Sequence, residues 1–378
     1  MKIAMIGIRG VPARYSGLET CGEEVGLRLV ERGHEVIVYC RKGSWDDSAT
    51  EYKGIKRITL PSLKTKITDT YSHSLVCMFH VLSQKPDVIL AFNPALGSLC
   101  IIPKLFGLKV ALNPDGFDWR RKKWGWFARK FIYASAWLCT KVCDQMIIDA
   151  VSVRDHYNEA FNCKPVAVYV PNGADLETAE ESDVPEEEQT RILDQYGLEK
   201  DKYILFLSRH EPENSCEYII EAYEGLETGM PLFFAGGVTY KSAYAESIKN
   251  TKDERIKFPG PIYDPIHVKV LHHNCYFLVH GNQPGGTSLG LLKALGYGTC
   301  VMTVDTPDNA YVVKDAGAKY QLSSESIRKT MRFLLDHPQE VEAYRRKAVE
   351  RIREEYKWDV VADKYEGVFR KVTGLSET

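Results

Sequence analysis

The chain has 378 residues, a length typical of two domains, and 44% of them are hydrophobic, which suffices for sizeable cores. Its formal net charge of -2 excludes bulk attraction to nucleic acid, and no apolar stretch approaches the roughly 20 residues of a membrane-spanning helix. The ten cysteines are scattered without a C-x-x-C pair, which favours reduced core residues in a soluble or peripheral cytoplasmic protein over disulfides or structural zinc.

The first forty residues predict a strand, a glycine-bearing loop, a helix and a second strand. The first strand runs into a Gly7-x-x-Gly10 turn, the helix covers about residues 18–32, and the second strand covers residues 34–40. This order opens a doubly wound α/β domain, whose ligands bind at the carboxyl ends of the strands. The glycine spacing differs from the dinucleotide fingerprint, and Arg41 stands where that fingerprint needs an acidic residue, so a nicotinamide site is disfavoured.

Strands and helices, among them a helix over about residues 96–106, continue to alternate to about residue 170, which predicts a parallel sheet. The second half repeats the pattern after a linker at Pro171-Asn172-Gly173-Ala174-Asp175 and an acidic stretch, 177–188, that is expected to be a solvated loop. We predict two Rossmann-like doubly wound domains that face each other across a cleft. The first covers residues 1–172 with a returning helix at about 358–378, and the second covers residues 173–357.

Loops at the carboxyl ends of the strands are where chemistry is expected in such domains. The strongest anion site is the segment Pro284-Gly285-Gly286-Thr287-Ser288, which precedes a helix whose free N–H groups attract negative charge. Arg209 follows another strand of the same half and could hold the same phosphate with its guanidinium fork. The alternative is an ordinary helix start that is capped by Thr287 or Ser288.

A second feature is the segment 119–131, which combines six basic with five aromatic residues. Such mixtures bind anionic lipid surfaces with their rings at the level of the headgroups. The alternative is a helix packed on the core with solvated cations, whereas nucleic acid is disfavoured because the patch is single and no known binding module is present. The residues predicted to face the acceptor or the membrane are Tyr15, Trp119, Arg120, Arg121, Lys123, Trp124 and Trp126.

Six motifs are specific when taken together. They are Gly7-x-Arg9-Gly10-x-Pro12-Ala13-x-Tyr15-x-Gly17-x-Glu19-Thr20, Arg32-Gly33-His34-Glu35-Val36, Asn113-x-Asp115-Gly116-x-x-Trp119, Pro171-Asn172-Gly173, Arg209-x-Glu211-Pro212-Glu213-Asn214 and Gly285-Gly286-Thr287. With these motifs the chain resembles, over nearly its whole length, the GT-B glycosyltransferases of family 4. Within that family it is most similar to the rhamnosyltransferase group of capsule and cell-wall polysaccharide synthesis.

The resemblance implies a retaining, metal-independent transferase without a cofactor, cytoplasmic and peripheral at the inner membrane face. The second domain would bind a nucleotide-diphosphate sugar, linked to dTDP or UDP, and the first a lipid-linked or glycan acceptor. Arg209 and the helix start would stabilise the leaving pyrophosphate, and Asp115 would orient the acceptor hydroxyl or the donor sugar. An ordinary turn remains the alternative for Asp115. The implied donor-binding residues are Gly10, Gly17, Asn214, Gly236, Gly285, Gly286, Thr287, Ser288 and Lys293.

Lys293 departs from the pattern of the family. Family 4 usually carries Glu-x7-Glu where this chain has Gly285 and Lys293, and the glutamate at the second position would accept hydrogen bonds from the ribose, whereas lysine only donates. Three explanations stay open. Lys293 faces the pyrophosphate as an added cation, the donor carries another nucleotide or an acidic sugar, or the protein is a catalytically silent binding or regulatory protein.

Overall fold

The structure is a computed structural model that describes residues 1–14, 16–44, 46–65, 68–120, 124–238, 242–283 and 286–375. The chain divides into two compact units. Unit 1 comprises Met1–Asn172 together with Trp358–Thr378, and unit 2 comprises Gly173–Lys357.

Unit 1 is built on a sheet of eight described strands. They are β1 Lys2–Ile6, β2 Glu35–Arg41, β3 Glu51–Tyr52, β4 Ile55–Leu60, β5 Val88–Phe92, β6 Lys109–Asn113, β7 Gln145–Ile148 and β8 Val168–Tyr169. Their spatial order is β3-β4-β2-β1-β5-β6-β7-β8, and every pair is parallel except β3 with β4. The inner strands are nearly continuous apolar runs because helices cover both faces of such a sheet, and all five residues of β5 are buried.

The first five helices of unit 1 are α1 Gly17–Glu31, α2 Asp69–Gln84, α3 Ile101–Leu105, α4 Trp126–Val142 and α5 Val151–Glu159. The crossover from β1 to β2 runs across the sheet in one direction, and the later crossovers run in the opposite direction. Right-handed crossovers therefore place α1 on one face of the sheet and α2, α3, α4 and α5 on the other.

Unit 2 repeats this architecture with a six-stranded parallel sheet in its described part. The strands are β9 Ile204–Leu207, β10 Leu232–Ala235, β11 Ile256–Lys257, β12 Phe277–His280, β13 Val301–Val304 and β14 Ala318–Tyr320, in the spatial order β11-β10-β9-β12-β13-β14. The helices are α6 Glu186–Tyr196, α7 Cys216–Glu224, α8 Ala243–Ser247, α9 Pro265–Asn274, α10 Leu289–Gly296, α11 Pro307–Val313, α12 Ser324–Asp336 and α13 Pro338–Arg351.

The last helix, α14 Trp358–Thr373, returns to unit 1 and packs against α1. Arg28 of α1 pairs with Asp359 at 3.0 Å, and the Tyr365 hydroxyl lies 3.5 Å from the thiol of Cys21. The predicted α/β class and the returning helix are confirmed.

Two local expectations were wrong. The acidic stretch expected to be a loop contains the start of α6, because three glutamates in the first turn of that helix complement its positive end. The predicted helix over 96–106 is shorter, since Pro94–Leu96 forms a separate 3₁₀ turn and α3 begins only at Ile101.

The ten cysteines all have buried side chains and free thiols. Within the described residues, no helix combines the length and the apolar character that crossing a membrane requires.

Candidate functional site

The carboxyl edge of the unit 2 sheet is formed by loops whose backbones approach one another closely. Gly236 follows β10 with φ +141°, and a Cβ there would lie 1.8 Å from the carbonyl oxygen of Ser208. A Cβ on Gly281, after β12, would lie 2.1 Å from the carbonyl oxygen of Asn214. Only glycine fits at such contacts, so these two residues fix how near the loops after β9, β10 and β12 can come.

Asn214 joins these loops through its side chain, which is only 1% exposed. Its Nδ2 donates to the carbonyl oxygen of Arg209 at 2.8 Å, and its Oδ1 accepts from Nδ2 of Asn282 at 3.0 Å. Asn309 then donates to the carbonyl oxygen of Asn282 at 2.9 Å. The loop that carries Arg209 is thereby tied to the segment that leads towards α10.

The Arg209 side chain is 67% exposed and pairs with the Glu211 carboxylate at 3.1 Å. The Glu211 side chain is only 14% exposed, so the pair is open to solvent on the side of the guanidinium. An anion at this edge of the sheet could reach the guanidinium from that side.

The start of α10 is organised by Ser288. Its Oγ accepts from the Leu291 N–H at 3.4 Å, as an N-cap does, and lies 3.0 Å from Nε2 of His280. The other ring nitrogen of His280 lies 2.9 Å from Oγ1 of Thr303, and burial lowers the pKa of this histidine to about 4. A neutral histidine thus holds the cap in place.

Two further groups flank the cap. Gly286 has φ +133° and donates its N–H to the buried carboxylate of Asp308 at 3.4 Å, while Thr287 is buried. Gly285 lies outside the described residues. The loop before α10 therefore combines a glycine conformation with the partial positive charge of a helix start, the combination that suits a phosphate.

Lys293 is exposed and lies in the last turn of α10. Burial above all, and then the positive charges of His273 and Lys293, lower the pKa of His272 in α9 to about 3. Lys293 is therefore close to the carboxyl end of α9. A cation in the last turn also complements the negative end of the helix dipole, which gives Lys293 a structural role as well.

In unit 1, Asp115 follows β6 with φ +63°, in the left-handed region. Its N–H donates to Oδ1 of Asn113 at 2.9 Å, and Nδ2 of Asn113 donates to the Tyr365 hydroxyl at 2.9 Å. Tyr365 of α14 thus supports the loop of Asp115 through Asn113, and the side chains of Tyr365 and Asn113 are both fully buried.

A second carboxylate at this edge was not predicted. Asp149 directly follows β7, is buried, and accepts from Nδ2 of Asn172 at 2.9 Å. The pKa of Cys21 is raised to about 12, above all by burial and in part by the negative charges of Asp149 and Asp115, so both carboxylates lie near the same thiol. The rule that strand ends carry the chemistry would have found Asp149, whereas no local signal points to Tyr365.

The two remaining predicted donor residues, Gly10 and Gly17, belong to unit 1, whereas the others lie in unit 2. Gly10 has φ +141°, and a Cβ there would lie 2.7 Å from Sγ of Cys40, so its small size lets the β1 loop pack on the end of β2. Gly17 is the first residue of α1, after its N-cap Ser16.

The basic aromatic segment is divided between the core and the surface. Trp119 is only 7% exposed and packs with Tyr157 and Phe161, so it belongs to the core and not to the exposed surface expected from the sequence. Trp124 is half-buried and donates to Asp118 at 3.2 Å.

The exposed part of the segment begins with Arg120, whose guanidinium stacks on the ring of Phe117 at 3.9 Å. Trp126 is 74% exposed. Tyr15, Arg121 and Lys123 lie outside the described residues. In the part of the chain that is described, no three His, Cys, Asp or Glu side chains form a group fit to bind a metal ion.

Two Rossmann-like units in one chain are characteristic of the GT-B fold. Residues 1–175 match the family described as Domain of unknown function (DUF1972), and residues 188–354 match the family described as Glycosyl transferases group 1. A comparison with curated proteins gave no match.

Solved structures resemble the chain over its whole length. Sucrose-phosphate synthase from Thermosynechococcus elongatus has a TM-score of 0.80 at 15% identity, covering 99% of this chain and 100% of that one. HepE from Anabaena, in complex with UDP and glucose, has a TM-score of 0.78 at 12% identity, covering 98% and 100%. WaaG, a glycosyltransferase involved in lipopolysaccharide biosynthesis, has a TM-score of 0.74 at 16% identity, covering 99% and 100%.

The predicted GT-B fold is confirmed by these likenesses. The second half of the chain thus matches the glycosyltransferases of group 1, and its first half matches the DUF1972 domain. Its rhamnosyl specificity stays a prediction.

Proposed function

We propose that the protein moves a sugar, in the first place rhamnose from its dTDP form, to a lipid-linked glycan with retention of configuration and without a metal. Unit 2 would hold the donor and unit 1 the acceptor. The observation that carries the proposal is the edge of the unit 2 sheet, where Asn214 ties the Arg209 loop to the segment before α10.

The donor chemistry follows from this edge. When the bond between the anomeric carbon and the diphosphate breaks, negative charge develops on the leaving oxygen. Arg209 and the N–H groups at the start of α10 are donors that can stabilise this charge. The guanidinium of Arg209 is largely exposed, which leaves it accessible for that task.

The acceptor chemistry is assigned to Asp115. A left-handed conformation costs a non-glycine residue about 1–3 kcal/mol and is retained mainly where function requires it. The loop of Asp115 is braced by Asn113 and Tyr365, which holds the backbone of Asp115 in place. We assign to Asp115 the orientation of the acceptor hydroxyl as it bonds to the anomeric carbon.

Lys293 supports two other candidates. A donor with another nucleotide or an acidic sugar could use this cation, and HepE, a structural relative, binds UDP-glucose. A lysine whose role is to stabilise the end of α10 would instead leave the donor ribose without its acceptor, which fits a catalytically silent binding protein.

The test is thermal unfolding of the purified protein with UDP, dTDP, GDP and their sugars. The same panel is run on Lys293→Glu and on Lys329→Glu, which changes an exposed lysine of α12. A ligand that binds only the folded state raises the midpoint, by about 2.7 kcal/mol of stability at a hundredfold excess over Kd.

A shift of the native protein by dTDP-rhamnose supports the proposal, and a shift by UDP-sugars alone replaces rhamnose with the second candidate. A shift that occurs only in Lys293→Glu, and not in Lys329→Glu, would refute an active transferase and favour the silent protein. Transfer of labelled rhamnose to extracted lipid-linked glycan then tests the acceptor.

A further inference from the structure

The outer helices of unit 1 expose an unusual number of large apolar side chains. The helices α2, α3 and α4 lie on the same face of the sheet. Six side chains on these helices and their ends are 47–79% exposed: Phe79, Leu105, Phe106, Trp126, Phe127 and Trp137. We call the outer surface of α2, α3 and α4 the three-helix face.

The face is continuous from α2 to α4. The ring of Tyr71 in α2 contacts that of Phe131 in α4 with centroids 5.8 Å apart, and its hydroxyl lies 2.9 Å from Oγ of Ser98, just before α3. Ser98 and α4 line an apolar pocket of about 280 Å³, to which Phe131 and Trp137 contribute. Because α2 also packs against α3, the three helices form one continuous surface that carries the exposed apolar residues.

The charge of this region is predominantly positive. Residues 119–143 contain seven Lys and Arg and no Asp or Glu, and residues 70–86 also contain no acidic residue. Arg129 and Lys130 are exposed one turn beyond Trp126 and Phe127. The acidic residue at the start of α2, Asp69, is held by Arg41 at 2.6 Å.

This combination matches one kind of partner. Contiguous apolar patches on soluble proteins mark interaction sites, because scattered apolar residues do not cluster over several helices. Aromatic rings with interspersed bases suit the interface of an anionic bilayer, where rings enter the headgroup layer and cations meet the phosphates. A protein partner would have to supply both an apolar surface and carboxylates, whereas an anionic bilayer supplies apolar chains and negative charge over any area.

We propose that the three-helix face docks on an anionic lipid bilayer. The rings of Trp126 and Phe127 and the side chains of Leu105 and Phe106 enter the headgroup region, with Arg129 and Lys130 on lipid phosphates. The inference rests on the proposed function, whose acceptor is lipid-linked. It adds α2 and α3 to the segment that the sequence singled out.

The test is co-sedimentation of the full chain with vesicles of phosphatidylcholine alone and of phosphatidylcholine mixed with phosphatidylglycerol. Binding is expected to the mixed vesicles and to weaken with salt. Phe79→Ser with Leu105→Ser should weaken it about tenfold or more, because each removes a buried apolar side chain from the bound state. Arg129→Gln with Lys130→Gln should weaken it roughly fivefold per charge.

Two controls change residues away from the face. Tyr263→Ser removes a ring that is 78% exposed in unit 2, and Lys371→Gln removes an exposed cation of α14, which packs with α1 on the opposite face of the unit 1 sheet. Both should bind vesicles like the native protein. The thermal midpoints of the variants are measured first. They are expected to be unchanged except in Arg129→Gln, because Nε of Arg129 donates to the carbonyl oxygen of Trp119 at 2.8 Å.

Lack of binding to the mixed vesicles, or binding that Phe79→Ser with Leu105→Ser leaves unchanged, would overturn the inference. So would a stable dimer in solution that the same substitutions dissociate, because the face would then be covered by a second copy. Vesicle binding without donor binding overturns only the proposed function, and donor binding without vesicle binding overturns only the docking.

Discussion

Replacing Asn214 with alanine tests the brace at the edge of the unit 2 sheet. The substitution removes a buried donor to the Arg209 carbonyl at 2.8 Å and an acceptor for Asn282 at 3.0 Å. Leaving a buried polar partner without its hydrogen bond costs about 1–3 kcal/mol. Asn282 is half-buried and can partly turn to water, so we expect a total loss of about 2–4 kcal/mol.

The assay combines thermal unfolding with calorimetric titration of the donor nucleotide. At about 2–4 °C per kcal/mol for a unit of this size, the midpoint of unit 2 should fall by roughly 5–15 °C. The affinity for the nucleotide should fall as well, because the Arg209 loop is no longer held against the segment before α10.

Asn158→Ala is the matched control. In unit 1, Oδ1 of Asn158 accepts from the Ala167 N–H at 2.8 Å, and its Nδ2 donates to the Ala167 carbonyl at 3.5 Å, so this asparagine also ties a helix to a loop. It should lower the midpoint and leave nucleotide affinity unchanged. If Asn214→Ala unfolds earlier but binds the nucleotide with native affinity, Asn214 is a structural brace only and the assignment of this edge to the donor is refuted.

Gly236→Ala should destabilise the protein by about 1–3 kcal/mol more than Gly260→Ala in denaturant unfolding. Both glycines have a positive φ, but only at Gly236 would a Cβ lie against backbone atoms. Equal effects of the two substitutions would exclude the close approach as the cause. Asp115→Asn should keep the fold, because Asn tolerates a positive φ. It should lower kcat about a hundredfold and leave the KM for the donor unchanged. A native kcat would show that Asp115 only forms a turn. Burial lowers the pKa of His280 to about 4 from an ordinary 6.5, so the unfolded chain takes up the proton first. The unfolding free energy should therefore be highest above pH 6.5 and fall towards pH 4, and His280→Asn should flatten that fall in unfolding curves recorded across this range.

Local patterns in the sequence were enough for the class of fold and for the edge where chemistry belongs. Apolar runs that alternate with helical periodicity specify parallel strands and crossover helices, and they place the loops of Arg209 and Asp115 at carboxyl ends. The glycines before α10 and the Ser288 cap are likewise local, because a helix start needs only its own neighbours.

What local patterns did not show is which side chains are engaged by residues far along the chain. The sequence predicts that Asn214 contacts the nucleotide-sugar donor. Its hydrogen bond with Asn282 follows only from the pairing of β9 with β12. Trp119 reads as a surface ring because it stands beside four basic residues, yet the packing of α4 and α5 on the sheet buries it.

The sequence by itself determined the alternation of strands and helices, the glycine-bearing loop before α10 and the basic character of the segment before α4, since each depends on residues that are close along the chain. The tertiary structure alone decided that Tyr365 supports Asn113 across 252 residues, and that α2, α3 and α4 present their apolar side chains on one face. The reason is that strand order and crossover handedness set these contacts, and they act on the whole sheet rather than on any short stretch of it.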